Sequence, residues 1–218
     1  MLCEDVGDRL DAGSLAQRLA QVVAEPLTAA SNVVTPTLPA PSTAGTLLVA
    51  VVNAGASGTQ SVPTPAAGWV LVTPNGAVNT AGCCRSEIWY YPNNPGGING
   101  ESFTMAAGNQ GIAQMTEWKG VSALDVAGIK SLGAPVNSVT LGTSAATASA
   151  NELVITGVES DGGAGSTYTP MVGWSNLFID NLHGDYSDYR VNLPAAVASE
   201  TFTDTNNFRW SAVIAAFK

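Results

Sequence analysis

The sequence contains few charged residues, and acidic residues outnumber basic ones. Only 11% of its 218 residues are charged, and 17 acidic side chains against eight basic ones give a formal net charge of −9. This balance argues against nucleic-acid binding, because phosphate backbones are bound mainly by Lys and Arg. No stretch reaches the roughly 18 consecutive apolar residues that a membrane helix needs, so membrane insertion is not expected.

The sequence also lacks a cysteine framework. Its three cysteines, at positions 3, 83 and 84, match neither a set of disulfide pairs nor the ligand spacing of a zinc site. We expect Cys83 and Cys84 to be two small residues at the start of a strand, with side chains on opposite faces. A bond between these neighbours, or binding of a soft metal, is the alternative.

No secretory signal is evident at the N-terminus. The first residues, MLCEDVGDRLDAGSLAQRL, carry acids where a signal needs bases, and Arg18 interrupts the only apolar run. We therefore expect a protein that stays in the cytoplasm or leaves the cell by lysis.

One segment has the periodicity of a helix. Between residues 14 and 25 apolar side chains recur at i, i+4, i+7 and i+8, which predicts an amphipathic helix capped by Ser14 and ended by Pro26. We interpret residues 1–32 as an N-terminal helical arm. Its candidate anchoring stripe consists of Leu15, Leu19, Val22 and Val23.

The rest of the chain alternates short β-type runs with turn-forming clusters. Runs such as 47–52, 68–73 and 86–91 are separated by Gly, Asn and Pro, including the turn dipeptide Asn99-Gly100. We therefore predict an all-β fold, in which residues 33–218 form a single antiparallel, jelly-roll-like β-sandwich domain.

The pattern Pro-x-x-Gly-Trp occurs twice, 105 residues apart. The same shift places Leu48 on Leu153, and a shift of 99 residues aligns the segments farther along the chain. We infer two similar halves, at about residues 33–120 and 137–218, that pack as one sandwich. In each half the Gly permits a close or left-handed turn beside the Trp ring, which closes one end of a core. The predicted corner residues are Pro65, Gly68, Trp69, Pro170, Gly173 and Trp174.

No motif indicates catalysis, a cofactor or a metal. The only histidine, His183, lies among three aspartates in the segment 180–188, but a Gly-x-Ser-x-Gly elbow and the EF-hand order are absent. We expect a solvated acidic loop there, with a metal site as the alternative. Glu101 and Glu200 align between the halves and suggest a glycosidase pair, but matching positions predict similar surface environments, whereas a catalytic acid and nucleophile need different ones.

Aromatic side chains are the better candidates for binding. Three consecutive aromatic residues at 89–91 alternate between the faces of a strand, so at least one ring can be exposed. An exposed Trp or Tyr can stack on a sugar or anchor a protein partner, whereas burial under a neighbouring loop is the alternative. The candidate contacts are Trp89, Tyr91, Tyr186 and Tyr189.

Residues 33–218 resemble the β-sandwich domains that recur in structural proteins of tailed bacteriophages, particularly minor tail, tail-fibre and capsid-decoration proteins. The resemblance depends on GTLLVAVV, PTPAAGWVLV, IWYY, ESFTM, MTEWKGV and the final AVIAAFK. It implies a non-enzymatic virion component that assembles in the host cytoplasm, contacts other virion proteins and forms homo-oligomers. The alternative is a carbohydrate-binding module that contacts host surface polysaccharide.

Overall fold

All regular secondary structure in the described residues is β-strand. The structure is a computed structural model that describes residues 16–23, 33–55, 67–73, 77–78, 83–105, 110–162, 167–181 and 183–218. The strands are β1 (Gln17–Val23), β2 (Val33–Val34), β3 (Leu47–Gly55), β4 (Val70–Leu71), β5 (Ala77–Val78), β6 (Cys84–Tyr91), β7 (Phe103–Thr104), β8 (Gln110–Lys119), β9 (Leu124–Gly142), β10 (Glu152–Ser160), β11 (Ser175–Asp180), β12 (Asp185–Leu193) and β13 (Ser199–Phe217). In these ranges no helix is long and apolar enough to cross a membrane.

The strands form two large sheets and one small ribbon. Sheet 1 has the order β1-β8-β3-β6-β4, with β5 also pairing with β6, and sheet 2 has the order β11-β12-β10-β13-β9. Strands β2 and β7 form the separate two-stranded ribbon. Every pairing is antiparallel, so the predicted all-β, antiparallel class is confirmed, and the sheets are consistent with a β-sandwich.

The two halves repeat the same strand order. Read from its other edge, sheet 2 runs β9-β13-β10-β12-β11, which matches β1-β8-β3-β6-β4 strand for strand. The ribbon also has a counterpart, because Val34 pairs with Phe103 in the first half and Val139 pairs with Phe202 in the second. In the second half, ribbon and sheet belong to the same long strands, β9 and β13, each of 19 residues.

The register of the repeat differs from the predicted alignment in one segment. Leu47 is opposite Trp118, and Leu153 is opposite Phe217, so Leu153 corresponds to Leu47 and not to Leu48. The shift between β3 and β10 is therefore one residue larger than 105. A one-residue change exchanges the two faces of a strand. The sequence does not reveal this extra residue, because both faces of the two strands are buried and mainly apolar.

Among the described residues, three hydrophobic cores hold the layers together. The central core lies between the two large sheets, and an outer core lies on the other side of each sheet, closed by the ribbon in the first half and by its counterpart in the second. The central core includes Leu47, Val49, Ile88, Leu153, Ile155 and Val213. Each half is thus a small sandwich of its own, and the halves pack back to back.

Reciprocal aromatic contacts join the halves across the central core. The ring centroids of Tyr90 and Phe217 are 5.6 Å apart, and those of Trp118 and Tyr189 are 5.2 Å apart. Tyr90 corresponds to Tyr189, and Trp118 to Phe217, at the shift of 99 residues. Each half therefore offers the same two positions to the other, as subunits do in an isologous dimer.

The predicted N-terminal helix is wrong where the structure describes it. Gln17–Val23 is strand β1, which extends sheet 1 by pairing with β8. Of the predicted anchoring stripe, Leu19, Val22 and Val23 lie in this strand, and Leu15 lies outside the described residues. Pairing with the backbone groups of a neighbouring strand outweighs a weak local preference for helix.

The boundaries drawn from sequence also fall differently. Strand β1 belongs to sheet 1, although residues 1–32 were predicted to form a separate arm. The predicted start of the second half at residue 137 lies inside β9, because sheet 2 already begins at Leu124.

Candidate functional site

The two Pro-x-x-Gly-Trp corners cover the outer cores, one in each half. Trp69 and Trp174 are 8% and 7% exposed and pack in the outer cores of sheets 1 and 2, respectively. The glycines before them have φ angles of 103° and 89°, in the left-handed region that favours glycine. Pro170 is half-buried, and Pro65 lies outside the described residues.

The corners differ in how the indole N–H is satisfied. Trp69 donates to a carboxylate oxygen of Glu101 at 3.0 Å, and its ring meets Tyr91 and Phe103 edge to face. The indole N–H of Trp174 is buried and has no hydrogen-bond partner among the residues that the structure describes. Within that part of the chain, the second corner therefore lacks an acceptor that the first corner has.

We predict that Gly68→Ala destabilises the protein more than Gly173→Ala. Both substitutions put a side chain in a left-handed conformation, which costs about 1 to 2 kcal/mol. A Cβ at Gly68 would also overlap the ring of Tyr91, whereas a Cβ at Gly173 would meet Arg190 at an ordinary 3.4 Å. We expect a loss of about 3 kcal/mol or more for Gly68→Ala. Urea unfolding measures both losses, and equal losses would contradict the overlap.

Trp89 and Tyr91 lie half-buried on the outer side of sheet 1. The indole N–H of Trp89 donates to Glu87 at 2.9 Å, and Glu87 also pairs with Arg85. Burial raises the pKa of Glu87 to about 7, although Arg85 acts in the opposite direction. Trp89 is thus fixed in place by a buried network, and only part of its ring is accessible.

The other two candidate contact residues lie elsewhere. Tyr189 is half-buried at the central core, where it packs against Trp118 with the guanidinium of Arg18 5.0 Å above its ring. Tyr186 is completely buried in the outer core of sheet 2, so its prediction as a surface contact is wrong. Strand alternation places these two tyrosines on different faces. The four rings do not form one platform.

Glu200 is buried instead of lying on the surface as expected. It is 1% exposed and contacts the hydroxyls of Thr156 and Tyr168, each at 3.0 Å. The same Tyr168 hydroxyl contacts Asp188. Burial, and then the nearby Asp188, raises the pKa of Glu200 to about 9; burial also raises the pKa of Asp188. At neutral pH this carboxyl pair therefore retains a proton, which lets the cluster satisfy its hydrogen bonds.

A second acidic group, Glu159 and Asp185, lies between the sheets at one end of the sandwich. The backbone N–H of Arg85 donates to Glu159 at 2.9 Å, and nearby Ser86 donates to Asn53 at 2.7 Å. Burial raises the pKa values of Glu159 and Asp185 well above their usual range. The Glu200–Asp188 pair and the Glu159–Asp185 pair are thus both buried inside the fold.

The aspartates of segment 180–188 point in different directions. His183 is exposed and contacts Asp180 at 2.7 Å, whereas Asp185 faces the space between the sheets and Asp188 faces the outer core. Among the residues described, no three His, Cys, Asp or Glu side chains lie where they could hold a metal ion. The acidic appearance of this segment thus comes from residues with separate structural positions.

Cys83 and Cys84 are joined by a disulfide bond, contrary to the expectation of two unbonded residues. Strand β6 begins at Cys84, and Cys83 lies in the bend before it. The strict alternation of a strand therefore does not apply across this pair, and the two sulfur atoms can meet.

The corners and the half-buried rings are the features that a partner could reach, whereas the acidic clusters are turned inward. Comparison with known proteins assigns no role to these features: no protein-family model, no curated protein and no solved structure matches this chain.

Proposed function

We propose that this chain is a non-enzymatic structural protein of a tailed-bacteriophage virion, displayed on the particle as a capsid-decoration or minor tail protein. It is held there by protein–protein contacts with other virion proteins and with further copies of itself. The resemblance of residues 33–218 to such β-sandwich domains is the starting point of this proposal.

The connectivity of the strands is the observation that carries the proposal. In the first half β1 lies beside β8, β8 beside β3, β3 beside β6, and β2 beside β7. These four pairings also occur in a jelly roll, an eight-stranded architecture that recurs in viral capsid and lectin domains, but β4 and β5 depart from it, because both pair with β6. The second half repeats it with fewer, longer strands. Fold-level analogy supports a class of function and not a particular partner.

The placement of the acids is consistent with a structural role. A glycosidase presents two carboxyl groups to a substrate in an open site. Here Glu200 is 1% exposed and Asp188 is fully buried, and both bond to neighbouring side chains of sheet 2. These groups contribute to the second half's own outer core.

The glycan-binding alternative requires an exposed planar surface of aromatic rings. Trp89 and Tyr91 are half-buried on one side of sheet 1, and Tyr189 is half-buried at the central core. This geometry favours the structural role over a sugar platform.

The test is cryo-electron microscopy of the phage particle that contains this chain, combined with mass spectrometry of the purified particle. Regularly repeated density on the shell that fits two back-to-back sheets would identify a decoration protein, and density on the tail would identify a minor tail protein. Absence of the chain from the purified particle would reject the proposal. Deletion variants used to map its attachment must keep Gln17–Val23, because this strand is part of sheet 1.

A further inference from the structure

The second corner contains an arginine to which no described residue is bonded. Arg190 is half-buried on β12, and no hydrogen bond or ion pair to it is formed by any described residue. The three heavy atoms nearest to a Cβ built on Gly173 all belong to its guanidinium group, the closest at 3.4 Å. A half-buried guanidinium offers five donors in a planar fork that matches a carboxylate.

The neighbouring residue supplies a second unsatisfied donor. Trp174 is 93% buried, and its indole N–H has no acceptor in the described part of the chain. In the first half the equivalent Trp69 donates to Glu101. The counterpart of Glu101 is Glu200, whose two oxygens face Tyr168 and Thr156 instead. Buried donors without acceptors are rare in proteins and call for an explanation.

In the first corner the position that corresponds to Arg190 is filled by an aromatic ring. The counterpart of Arg190 is Tyr91, which covers Gly68 and packs edge to face on Trp69. Ring and carboxylate thus close the first corner from within. In the second corner Arg190 stands where the first has Tyr91, and Glu200 bonds to Tyr168 and Thr156 instead of to the tryptophan.

We propose that the second corner is a carboxylate-binding site, in which Arg190 receives the carboxylate of an Asp or Glu side chain of a partner protein beside the buried indole of Trp174. The protein source is favoured by the apolar tip beside the arginine, where Val172 is 98% and Met171 41% exposed. An aliphatic tip next to a cation suits a segment with neighbouring apolar and acidic residues, whereas a sugar acid would require an exposed ring.

This identification of the partner as a protein rests on the proposed virion role, but the proposal of a carboxylate site does not.

The test is a titration of the full ¹⁵N-labelled chain with N-acetylglutamate amide, monitored by NMR of the indole and guanidinium N–H signals. The neutral N-acetylglutamine amide is the matched probe, and Trp174→Phe identifies the indole signal.

We expect saturable shifts of the Trp174 and Arg190 signals with the acidic probe only, at an affinity of about millimolar for so small a ligand. The indole signal of Trp69, already bonded to Glu101, is the internal control and should not move. Arg190→Gln should weaken binding at least about tenfold, and Arg190→Lys should weaken it less, since one point charge replaces a bidentate fork.

Absence of saturable shifts, equal shifts with the neutral probe, or unchanged binding in a folded Arg190→Gln variant would each overturn the site. Tighter binding of glucuronate than of the glutamate probe would overturn the protein partner in favour of an acidic sugar. A negative titration with the chain still found on the particle rejects this site alone, whereas binding by a chain absent from the particle rejects the virion role alone.

Discussion

Replacing Glu200 with Gln is expected to make the stability of the protein less dependent on pH. In the native protein burial raises the pKa of Glu200 to about 9, and Asp188 adds to this effect. In the unfolded chain the same group titrates near 4.5. Between these values the native state binds more protons than the unfolded state, so the free energy of unfolding falls as pH rises.

The contribution of this group is therefore complete below about pH 4.5 and is lost progressively up to about pH 9. One proton corresponds to about 1.4 kcal/mol per pH unit, so the loss between pH 5 and pH 8 amounts to at most about 4 kcal/mol. Gln cannot ionise, but it resembles the protonated acid in shape and can donate to Asp188. Glu200→Gln should thus be close to the native protein at pH 5 and more stable than it at pH 8.

Urea unfolding at a series of pH values measures this difference directly. Thr201→Ala is a suitable control, because it changes the adjacent side chain without removing a titratable group. It should displace the stability curve without altering its slope. Parallel curves for the native protein and Glu200→Gln would show that Glu200 is ionised in the fold. Residual dependence in Glu200→Gln is expected from Glu159 and Asp185, whose pKa values are also raised by burial.

Truncation of either corner tryptophan is expected to destabilise the protein by about 3 to 5 kcal/mol, the usual range for a buried aromatic side chain replaced by Ala. Trp69 and Trp174 are each more than 90% buried in an outer core. Phenylalanine substitutions separate packing from hydrogen bonding. Trp69→Phe removes the hydrogen bond to Glu101, whereas the N–H of Trp174 has no partner among the described residues. Trp69→Phe should therefore lower the free energy of unfolding by about 1 to 3 kcal/mol more than Trp174→Phe does.

Thermal or urea unfolding of the four variants tests both points. Alanine variants that unfold like the parent would reject the role of the corners in closing the cores. Equal effects of the two phenylalanine substitutions would reject the difference between the corners. A stable Trp174→Phe protein is also the best material for separating loss of carboxylate binding from loss of folding.

Several parts of the fold could be predicted because they depend on local pattern. The short β-type runs and turn clusters predicted an antiparallel sandwich, and the repeated Pro-x-x-Gly-Trp predicted two halves. Gly68 and Gly173 do adopt left-handed conformations beside tryptophans that cover a core. The spacing of these residues is a property of the sequence, so it did not require knowledge of distant contacts.

The errors involve residues whose environment is set by distant strands. The segment 14–25 has helical periodicity, but Gln17–Val23 finds unpaired backbone groups along β8 and becomes a strand. Glu200 looked like a surface residue, although Phe202 two positions away on the same strand face was a signal that this face is buried. Cys83 and Cys84 were expected to diverge because the start of β6 could not be located to the residue.

The sequence by itself determined the class of fold, its duplication and the two glycine-tryptophan corners, because alternating apolar residues, turn residues and a repeated motif act locally. Only the tertiary structure decided which face of each strand is central, where the acids hold their protons, and why the corners differ. Those outcomes depend on the side chains that approach from other strands: Tyr91 and Glu101 complete the first corner, whereas Arg190 lies over Gly173 in the second, where no described residue accepts from the Trp174 indole.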